Sequence, residues 1–278
     1  MSGGRCRNEG PGGDSGGGDH APPDSRANGG PHAGAQTLAD KLADNQARHE
    51  AYYAGVRSRE DSGRINAPGS QYLVHLLRGG HLGADFADGR GRAALDVGCG
   101  SGWDLAGLGM MGWRPHGVEL TEAIARRAEA NARAHGQEAQ VRVGTAQRIP
   151  YPDGMFALAL AGGVLHYAAH MDQARLALAE MARVLAPGGR VVLTTNHPEN
   201  WIMRGCERLG NGVVRVNRPG DHRHGQLHVL FERAEDLARA LSEHFTGVQV
   251  GENRLEFFDK TVRNWVATGV VAEGEGES

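Results

Sequence analysis

Short apolar runs alternate along this chain with segments whose apolar residues recur every three or four positions. The runs at 93–97, 115–120, 141–143, 156–161 and 190–195 predict five strands. The intervening segments predict helices: one follows a glycine-rich turn, one is capped by Thr121 and ends at Gly136, and one buries Leu178, Met181 and Leu185. Strands that alternate with helices of this length indicate a parallel, doubly wound sheet.

After the fifth strand the pattern becomes weaker. Residues 197–229 have little periodicity and many Gly, Pro and His residues, so we predict an insertion there. Residues 233–244 predict a helix, and residues 245–250 and 254–258 predict two strands that close the sheet.

The segments outside this alternation have a different composition. Residues 1–36 are rich in Gly and Pro and contain no Leu, Ile, Val, Phe, Tyr or Trp, so they cannot bury enough apolar surface to offset their ordering entropy. We therefore predict a disordered tail at 1–36, a helical lid at 37–90 and a polar tail at 273–278. The main domain then covers residues 37–272, including the lid and the insertion.

Composition narrows the classes of partner. The 278 residues carry a formal net charge of −3, and no dense Lys/Arg cluster predicts binding to nucleic acid or to a membrane surface. No apolar run has the length of a membrane span, the N-terminus lacks the apolar core of a signal peptide, and three dispersed cysteines do not suggest disulfides. We expect a cytoplasmic protein with a small-molecule partner; the oligomeric state is left open.

The turn after the first predicted strand holds the first candidate chemistry. Gly98, Gly100 and Gly102 let the backbone bend tightly and approach a ligand, and Asp96 stands just before them. In an open α/β sheet, ligands bind beyond the carboxyl ends of the strands, which is where this turn lies. A dinucleotide-binding turn would carry a glycine where Trp103 stands, and no Gly-Lys-Ser/Thr phosphate loop follows.

The end of the second strand supplies an acid. Glu119 follows Gly98 by 21 positions, and a carboxylate there can accept hydrogen bonds from both hydroxyls of a ribose. The alternative is a solvated acid at a strand end. The glycine-rich turn before it favours the ribose role.

Together with this turn, three later stretches resemble the class I S-adenosylmethionine-dependent methyltransferases, in particular the branch that acts on quinone rings and natural products. These stretches are residues 144–156, 161–166 and 183–191. The resemblance implies an α/β fold, a doubly wound seven-stranded Rossmann-like sheet with an N-terminal helical lid and an insertion after the fifth strand. It also implies S-adenosyl-L-methionine as cofactor, S-adenosyl-L-homocysteine as product, and methyl transfer to an oxygen or nitrogen of a small molecule.

The same resemblance implies a set of cofactor-binding residues. These are Asp96, Gly98, Cys99, Gly100, Gly102, Glu119, Leu120, Thr145, Ala146, Gln147, Ala161 and His166. The chain departs from the family at two positions. Thr145 replaces the acid that holds the adenine, and Ala157 replaces an acid at the start of the fourth strand.

Candidates for the acceptor side are less distinctive. His166, at the ligand end of the fourth strand, is the leading candidate base; alternatively, it only packs beside the cofactor. His197 is the second candidate, and its alternative role is that of a turn residue before a proline. Tyr52 and Tyr53 are candidate substrate-binding residues, and Trp201 either lines an acceptor pocket or covers the sheet edge.

Two further interpretations concern metals and other reactions. The trio His222, His224 and His228 could suggest a metal, but its spacing matches no helical metal motif, so we predict a solvated loop and no metal. The same cofactor fold could also perform decarboxylation, hydroxylation or cyclisation, or it could bind the cofactor without catalysis.

Overall fold

The computed structural model describes residues 47–48 and 76–272. The predictions of a tail at 1–36, of most of the lid and of a polar tail at 273–278 lie outside the described residues, as do Tyr52 and Tyr53. Within the described part, the helices are too short or too polar to cross a membrane.

Ten strands form two sheets in the described part of the chain. In chain order they are β1 (Ala93–Val97), β2 (Arg114–Glu119), β3 (Gln140–Val143), β4 (Phe156–Gly162), β5 (Leu185–Asn196), β6 (Glu207–Gly210), β7 (Val213–Arg215), β8 (Leu227–Val229), β9 (Thr246–Phe257) and β10 (Lys260–Val270). The main sheet has seven strands in the order β3-β2-β1-β4-β5-β10-β9. Strands β1 to β5 are parallel, and β10 is antiparallel to both of its neighbours. The predicted seven-stranded, doubly wound α/β sheet is confirmed.

Four α-helices lie wholly within the described residues: α1 (Trp103–Met110), α2 (Glu122–Ala134), α3 (Met171–Val184) and α4 (Ala234–Ser242). The start of α2 is capped as predicted, because the Thr121 hydroxyl accepts a hydrogen bond from the Ile124 N–H at 3.3 Å. Gly136 follows its end with a φ of 71°. Between these two residues, α2 buries an apolar stripe that includes Ile124, Ala128 and Ala132.

Helices cover both faces of the main sheet. On one face, α3 and α4 bury Leu178, Met181 and Leu237 against side chains of β1, β4 and β5. On the other face, Leu108 and Trp113 pack with Leu158 and Val192. Each fully buried large side chain contributes about 1.5–3 kcal/mol, so these layers hold the strand ends in fixed positions.

The prediction for the closing strands is wrong. The segments 245–250 and 254–258 belong to one strand, β9, and the second closing strand is β10. The polar run between those segments suggests a turn, but β9 is the edge strand and exposes polar side chains without breaking its pairing to β10. The chain reverses instead at Phe258, which has a φ of 53°. The predicted helix around Leu178 also ends earlier, because Leu185 already begins β5.

Residues 197–229 leave the main sheet. They form a short 3₁₀ helix, Trp201–Met203, and the small antiparallel sheet β6-β7-β8. Ile202, Met203 and Val214 form a separate apolar cluster with residues 216 and 230. Strand β8 contacts the 3₁₀ turn Leu165–Tyr167 that follows β4.

Candidate functional site

The strand order reverses direction next to β1. The chain runs outward from β1 to β3 and then returns to β4 on the other side of β1. In such sheets a ligand crevice opens between the carboxyl ends of the two central strands. In this sheet the corresponding position is between the turn 98–102, after β1, and residues 162–164, at the end of β4. A Cβ on Gly98 would lie 2.6 Å from a methyl group of Val164, so the two sides meet closely.

The turn 98–102 requires glycine for two physical reasons. Gly98, Gly100 and Gly102 have φ values of 70°, 51° and 78°, in the left-handed region that disfavours side chains. At Gly102, a Cβ would also lie 2.4 Å from the backbone oxygen of Ala128 in α2. The Asn131 side chain, also on α2, donates to the Ser101 carbonyl at 2.8 Å. Helix α2 therefore holds the turn 98–102 in place, through close packing at Gly102 and the hydrogen bond from Asn131.

Glu119, the last residue of β2, faces this turn. The residue is 5% exposed, and its two carboxylate oxygens accept hydrogen bonds from the N–H groups of Gly100 at 3.0 Å and Leu120 at 2.6 Å. Burial raises the pKa of Glu119, and the two backbone hydrogen bonds act in the opposite direction. Each carboxylate oxygen retains a further lone pair. The geometry therefore gives a rigid acceptor that can take two more hydroxyl donors.

Two other predicted residues of this region differ in their environment. Asp96 lies on β1 with 2% exposure, and its pKa is raised by burial and then by the charges of Asp104 and Glu119. The Cys99 side chain packs into the apolar cluster with Leu105 and Ala128. A ligand in the crevice can therefore meet only the backbone of Cys99.

The loop after β3 lies beside Glu119. The Gly144 N–H donates to the Glu119 carbonyl at 2.9 Å, which ties the loop to the end of β2. Thr145 and Arg148 then exchange backbone hydrogen bonds of 3.3 and 3.1 Å, forming a tight turn that carries Ala146 and Gln147. The structure thus brings the predicted residues 119, 120 and 145–147 together at one side of the crevice.

His166 lies on the other side of the crevice, in the 3₁₀ turn after β4. The residue is buried, and its ring centroid lies 4.4 Å from that of Tyr167 and 5.0 Å from that of His228. Ala161, also predicted to bind the cofactor, is fully buried within β4 and belongs to the main core.

His228 is a residue whose place the sequence did not reveal. It is fully buried on β8, and its Nε2 lies 3.3 Å from Oε1 of Gln226. The Gln226 amide nitrogen donates to the His222 carbonyl at 3.4 Å, which orients Oε1 toward the imidazole. We assign the proton of His228 to Nε2 on this basis, because an amide oxygen can only accept. The signal was the alternation in Leu227-His228-Val229, too short to indicate a strand by itself.

The described residues contain no group of three or more His, Cys, Asp or Glu side chains that could hold a metal ion. Nδ1 of His222 instead lies 3.5 Å from Oδ1 of Asp221, and Nδ1 of His224 accepts a hydrogen bond from the Arg218 N–H at 3.0 Å. The trio His222, His224 and His228 is thus distributed among separate partners. The prediction of a solvated loop is wrong for His228, because this residue is fully buried on β8.

A family model described as a methyltransferase domain matches residues 95–193. The match runs from β1 to β5 and includes the turn 98–102, Glu119 and His166. Over residues 95–193 this chain is therefore similar to methyltransferases, and its fold is that of S-adenosylmethionine-dependent methyltransferases of known structure.

Two curated relatives of this region are named for reactions on small molecules. A probable chloroplastic tocopherol O-methyltransferase of Oryza sativa subsp. japonica is 33% identical, over 44% of this chain and 33% of the relative. The ajmaline N-methyltransferase of Rauvolfia serpentina is 31% identical, over 45% of this chain and 44% of the relative. The matched part of this chain thus spans between a third and a half of the length of these relatives.

Solved structures share the fold over a larger part of the chain. A 1,6-didemethyltoxoflavin N1-methyltransferase of Burkholderia thailandensis, with bound 1,6-didemethyltoxoflavin and S-adenosylhomocysteine, aligns with a TM-score of 0.62 and 21% identity. The alignment covers 87% of this chain and 93% of that structure. An S-adenosylmethionine-dependent methyltransferase of Methanosarcina mazei aligns with a TM-score of 0.56 and 19% identity, over 74% of this chain and 99% of the other.

His197 follows β5 and makes several protein contacts. Its Nδ1 accepts from the Glu199 N–H at 3.0 Å, its Nε2 lies 3.8 Å from a Glu252 oxygen, and its ring packs on Trp265 at 4.2 Å. Its pKa is lowered, first by burial and then by Arg263. Both ring nitrogens face protein groups, and a base role for His197 stays a prediction.

Trp201, in the insertion after β5, is surrounded by cations. The guanidinium groups of Arg218 and Arg223 lie 4.8 and 5.8 Å from its ring, and the ammonium of Lys260 lies at 5.0 Å. Contacts of this kind stabilise a ring position by about 0.5–2 kcal/mol each. A substrate-binding role for Trp201 stays a prediction.

Proposed function

We propose that this chain transfers the methyl group of S-adenosyl-L-methionine to an oxygen or nitrogen of a small molecule. The observation that carries the proposal is the Glu119 carboxylate, buried at the switch point of the sheet and held by the backbone N–H groups of Gly100 and Leu120. Burying a carboxylate is costly, so a rigid one with spare lone pairs indicates a ligand with hydroxyl donors.

The residues of the crevice fit the cofactor in their chemistry. Glu119 would accept from both ribose hydroxyls, and the glycines of the turn 98–102 leave room for the amino-acid part beside their backbone. Thr145, Ala146 and Gln147 would flank the adenine. When bound, S-adenosyl-L-methionine supplies a methyl group on a positively charged sulfur, which makes the transfer favourable.

The residues of this chain must then orient the acceptor, exclude water and remove a proton. Alignment of two reactants in a closed site contributes about 7–11 kcal/mol. A hydroxyl acceptor must lose its proton as the new bond forms, whereas an amine must only arrive neutral. His166 is the group we assign to proton removal, because it follows β4 at the crevice. His228 packs on its ring and restricts its orientation.

The small-molecule acceptor is supported by the relatives. One is named for methylation of an oxygen and another for methylation of a nitrogen. A solved structure with this fold holds a small heterocycle beside S-adenosylhomocysteine. The insertion after β5 adds a small sheet beside the crevice, which gives room to shape an acceptor site.

The proposal is tested by screening phenols, amines and heterocycles with purified protein and methyl-labelled S-adenosyl-L-methionine. We expect one class of compound to acquire the label, and the Glu119→Ala variant to transfer it far more slowly. Consumption of a compound without gain of a methyl group would show instead a non-methylating reaction. Tight cofactor binding without turnover of any compound in a broad screen would favour a non-catalytic module.

A further inference from the structure

Three asparagines lie side by side on neighbouring strands of the main sheet. Asn264 on β10 is directly opposite Asn196 on β5 and also directly opposite Asn253 on β9. Residues paired across a sheet point to the same face. The three amides therefore form a row across the sheet near the carboxyl end of β5.

Hydrogen bonds fix the direction in which these amides point. The row is anchored by Asn200, whose Oδ1 accepts from the Ile202 N–H at 3.2 Å and whose Nδ2 donates to the Arg263 carbonyl at 2.7 Å. A backbone N–H can only donate and a carbonyl can only accept, so the Asn200 amide cannot be reversed.

The orientation of the Asn200 amide then fixes the orientations of the next two amides, those of Asn264 and Asn253. Nδ2 of Asn200 donates to Oδ1 of Asn264 at 3.1 Å, and Nδ2 of Asn264 donates to Oδ1 of Asn253 at 3.3 Å. Asn253 is thus left with its NH₂ group as the end of the row. That nitrogen is buried and has no hydrogen-bond partner among the described residues, and the same holds for Nδ2 of Asn196. Buried donors are nearly always satisfied in proteins, so an unsatisfied one calls for an explanation.

A groove of about 390 Å³ lies over the same part of the sheet, and Asn253 is one of the residues that line it. Its walls include the apolar side chains of Leu76, Leu82, Val192 and Val266. This volume lies within the range of small-molecule sites, which combine apolar walls with a few fixed polar groups.

The charges around the groove do not favour a charged ligand. Glu252 also lines it, but its carboxylate is paired with the Arg263 guanidinium at 2.7 Å. The polar residues His81, Gln249 and Thr268 also line the groove. The Thr268 hydroxyl donates to the Val191 carbonyl at 2.8 Å, whereas the amide donor of Asn253 has no partner among the described residues. A donor without a partner in an apolar groove calls for a ligand with an oxygen that accepts a hydrogen bond.

We propose that this groove binds a small, neutral, largely apolar molecule whose carbonyl-type oxygen accepts a hydrogen bond from Nδ2 of Asn253. Asn264 and Asn200 act as positioning residues, because they fix which end of the Asn253 amide faces the ligand. The proposal does not depend on methyl transfer, since it uses none of the residues assigned to the cofactor crevice.

The test compares two ligands of nearly the same shape. Acetophenone carries a carbonyl oxygen, and α-methylstyrene carries a CH₂ group in its place. Binding of each is followed by NMR on ¹⁵N-labelled protein without cofactor, with the side-chain NH₂ signals of Asn253 as the local reporter. We expect saturable binding of acetophenone about tenfold tighter than of α-methylstyrene, with the Asn253 signals shifted.

Three asparagine-to-aspartate variants locate the effect. Asn253→Asp keeps the bond from Asn264 but replaces the donor by an oxygen, so the tenfold preference for acetophenone should vanish. Asn264→Asp should have the same effect without touching the ligand, because the new carboxylate cannot donate and the Asn253 amide must turn its oxygen to the groove. The control Asn211→Asp, in the turn between β6 and β7, should preserve the preference.

Three outcomes would overturn the proposal. They are an absence of saturable acetophenone binding, equal affinity for the two ligands, or an unchanged preference in Asn253→Asp. A groove closed by other residues of this chain would appear as the first of these outcomes. Because cofactor affinity is measured separately, a failure here leaves the proposed methyl transfer standing, and the reverse also holds.

Discussion

Glu119 combines near-complete burial with a fixed orientation of its carboxylate. It is almost fully buried, and it is held by hydrogen bonds from the backbone at Gly100 and Leu120. Burial raises its pKa, so the carboxylate takes up a proton at a higher pH than an exposed glutamate. In the proposed function, the ionised carboxylate is the form that binds the ribose.

Replacement of Glu119 should therefore weaken cofactor binding. We expect Glu119→Ala to reduce the affinity for S-adenosylhomocysteine by about 1.5–3 kcal/mol, because two hydrogen bonds to a charged acceptor are lost. In the wild type, the affinity should fall as the pH drops through the raised pKa of this carboxyl. Calorimetry at several pH values measures both effects. Glu122→Gln, at the exposed start of α2, is the control, and a loss below a few tenths of a kcal/mol in Glu119→Ala would remove Glu119 from the site.

His166 is the residue for which catalysis and binding should separate. If the imidazole removes a proton from the acceptor, His166→Gln should lower turnover by about 100-fold or more, while S-adenosylhomocysteine affinity stays within twofold. Turnover with a labelled methyl donor and calorimetry give the two values. Equal losses in both would instead assign the ring to cofactor packing.

At the scale of elements, the junction of α1 and α2 depends on Gly102. Its left-handed φ and the 2.4 Å separation between a Cβ and the Ala128 oxygen both oppose a side chain. Gly136 has a similar φ of 71° but open space around it. The two glycines therefore separate backbone strain from steric contact.

We expect Gly136→Ala to lower the free energy of unfolding by about 1–2 kcal/mol, from backbone strain alone. Gly102→Ala should lower it by a further 1–3 kcal/mol or so, because α1 and α2 must move apart. Urea unfolding of both variants measures the difference. Equal losses would show that α2 yields easily and does not fix the turn 98–102.

Strand β2 contains a buried histidine that gives the fold a pH dependence. The His116 ring packs edge-on against Tyr151 at 5.6 Å and Phe156 at 5.4 Å. Burial lowers its pKa, and Arg114 and Arg142 lower it further. The unfolded chain takes up this proton below a pH of about 6.5, whereas the folded chain resists it to lower pH.

The contribution of His116 to stability is therefore present above that pH and is lost as the pH falls toward its folded pKa. His116→Phe should make the free energy of unfolding less dependent on pH between neutrality and mild acid. Thermal unfolding across this interval tests the effect, with the exposed His244→Gln as control. An unchanged pH profile in His116→Phe would contradict this role.

The elements differ in how far the sequence predicts them. Strands β1 to β5 and their helices are recognisable because they are buried and apolar, and because Thr121 and Gly136 mark the ends of α2. The sequence does not predict the bounds of β9 and β10. The edge strand β9 carries polar residues such as Glu252 and Asn253, and a polar run of this kind resembles a turn. The small sheet β6-β7-β8 has strands of three or four residues, too short to show a period.

In the candidate site, the sequence predicts the residues that lie close together along the chain, but it does not predict contacts between residues that are distant in sequence. The turn 98–102 and Glu119 are joined by helix α1, a short turn and strand β2, so their spacing in the sequence carries the information. The packing of His228 on His166 and the row of asparagines join residues that are far apart in sequence. Nothing in their local patterns indicates such a pairing, because it arises from the strand order.

On the scale of the whole molecule, the sheet places the candidate groups at one edge. The carboxyl ends of β1, β2 and β4 carry the turn 98–102, Glu119 and His166, and the carboxyl end of β5 carries His197. A described contact also links the predicted lid segment to the insertion, because Arg48 donates to the His224 carbonyl at 2.9 Å. These elements come from separate parts of the chain and depend on the complete fold.

We propose that the crevice beside β1 binds the nucleoside of S-adenosyl-L-methionine. The most direct measurement is a crystal structure of the protein soaked with S-adenosylhomocysteine. We predict that both ribose hydroxyls will lie within hydrogen-bonding distance of the Glu119 carboxylate, with the amino-acid part over the turn 98–102. A nucleoside bound elsewhere, or clear density for an unliganded crevice at saturating concentration, would contradict the account.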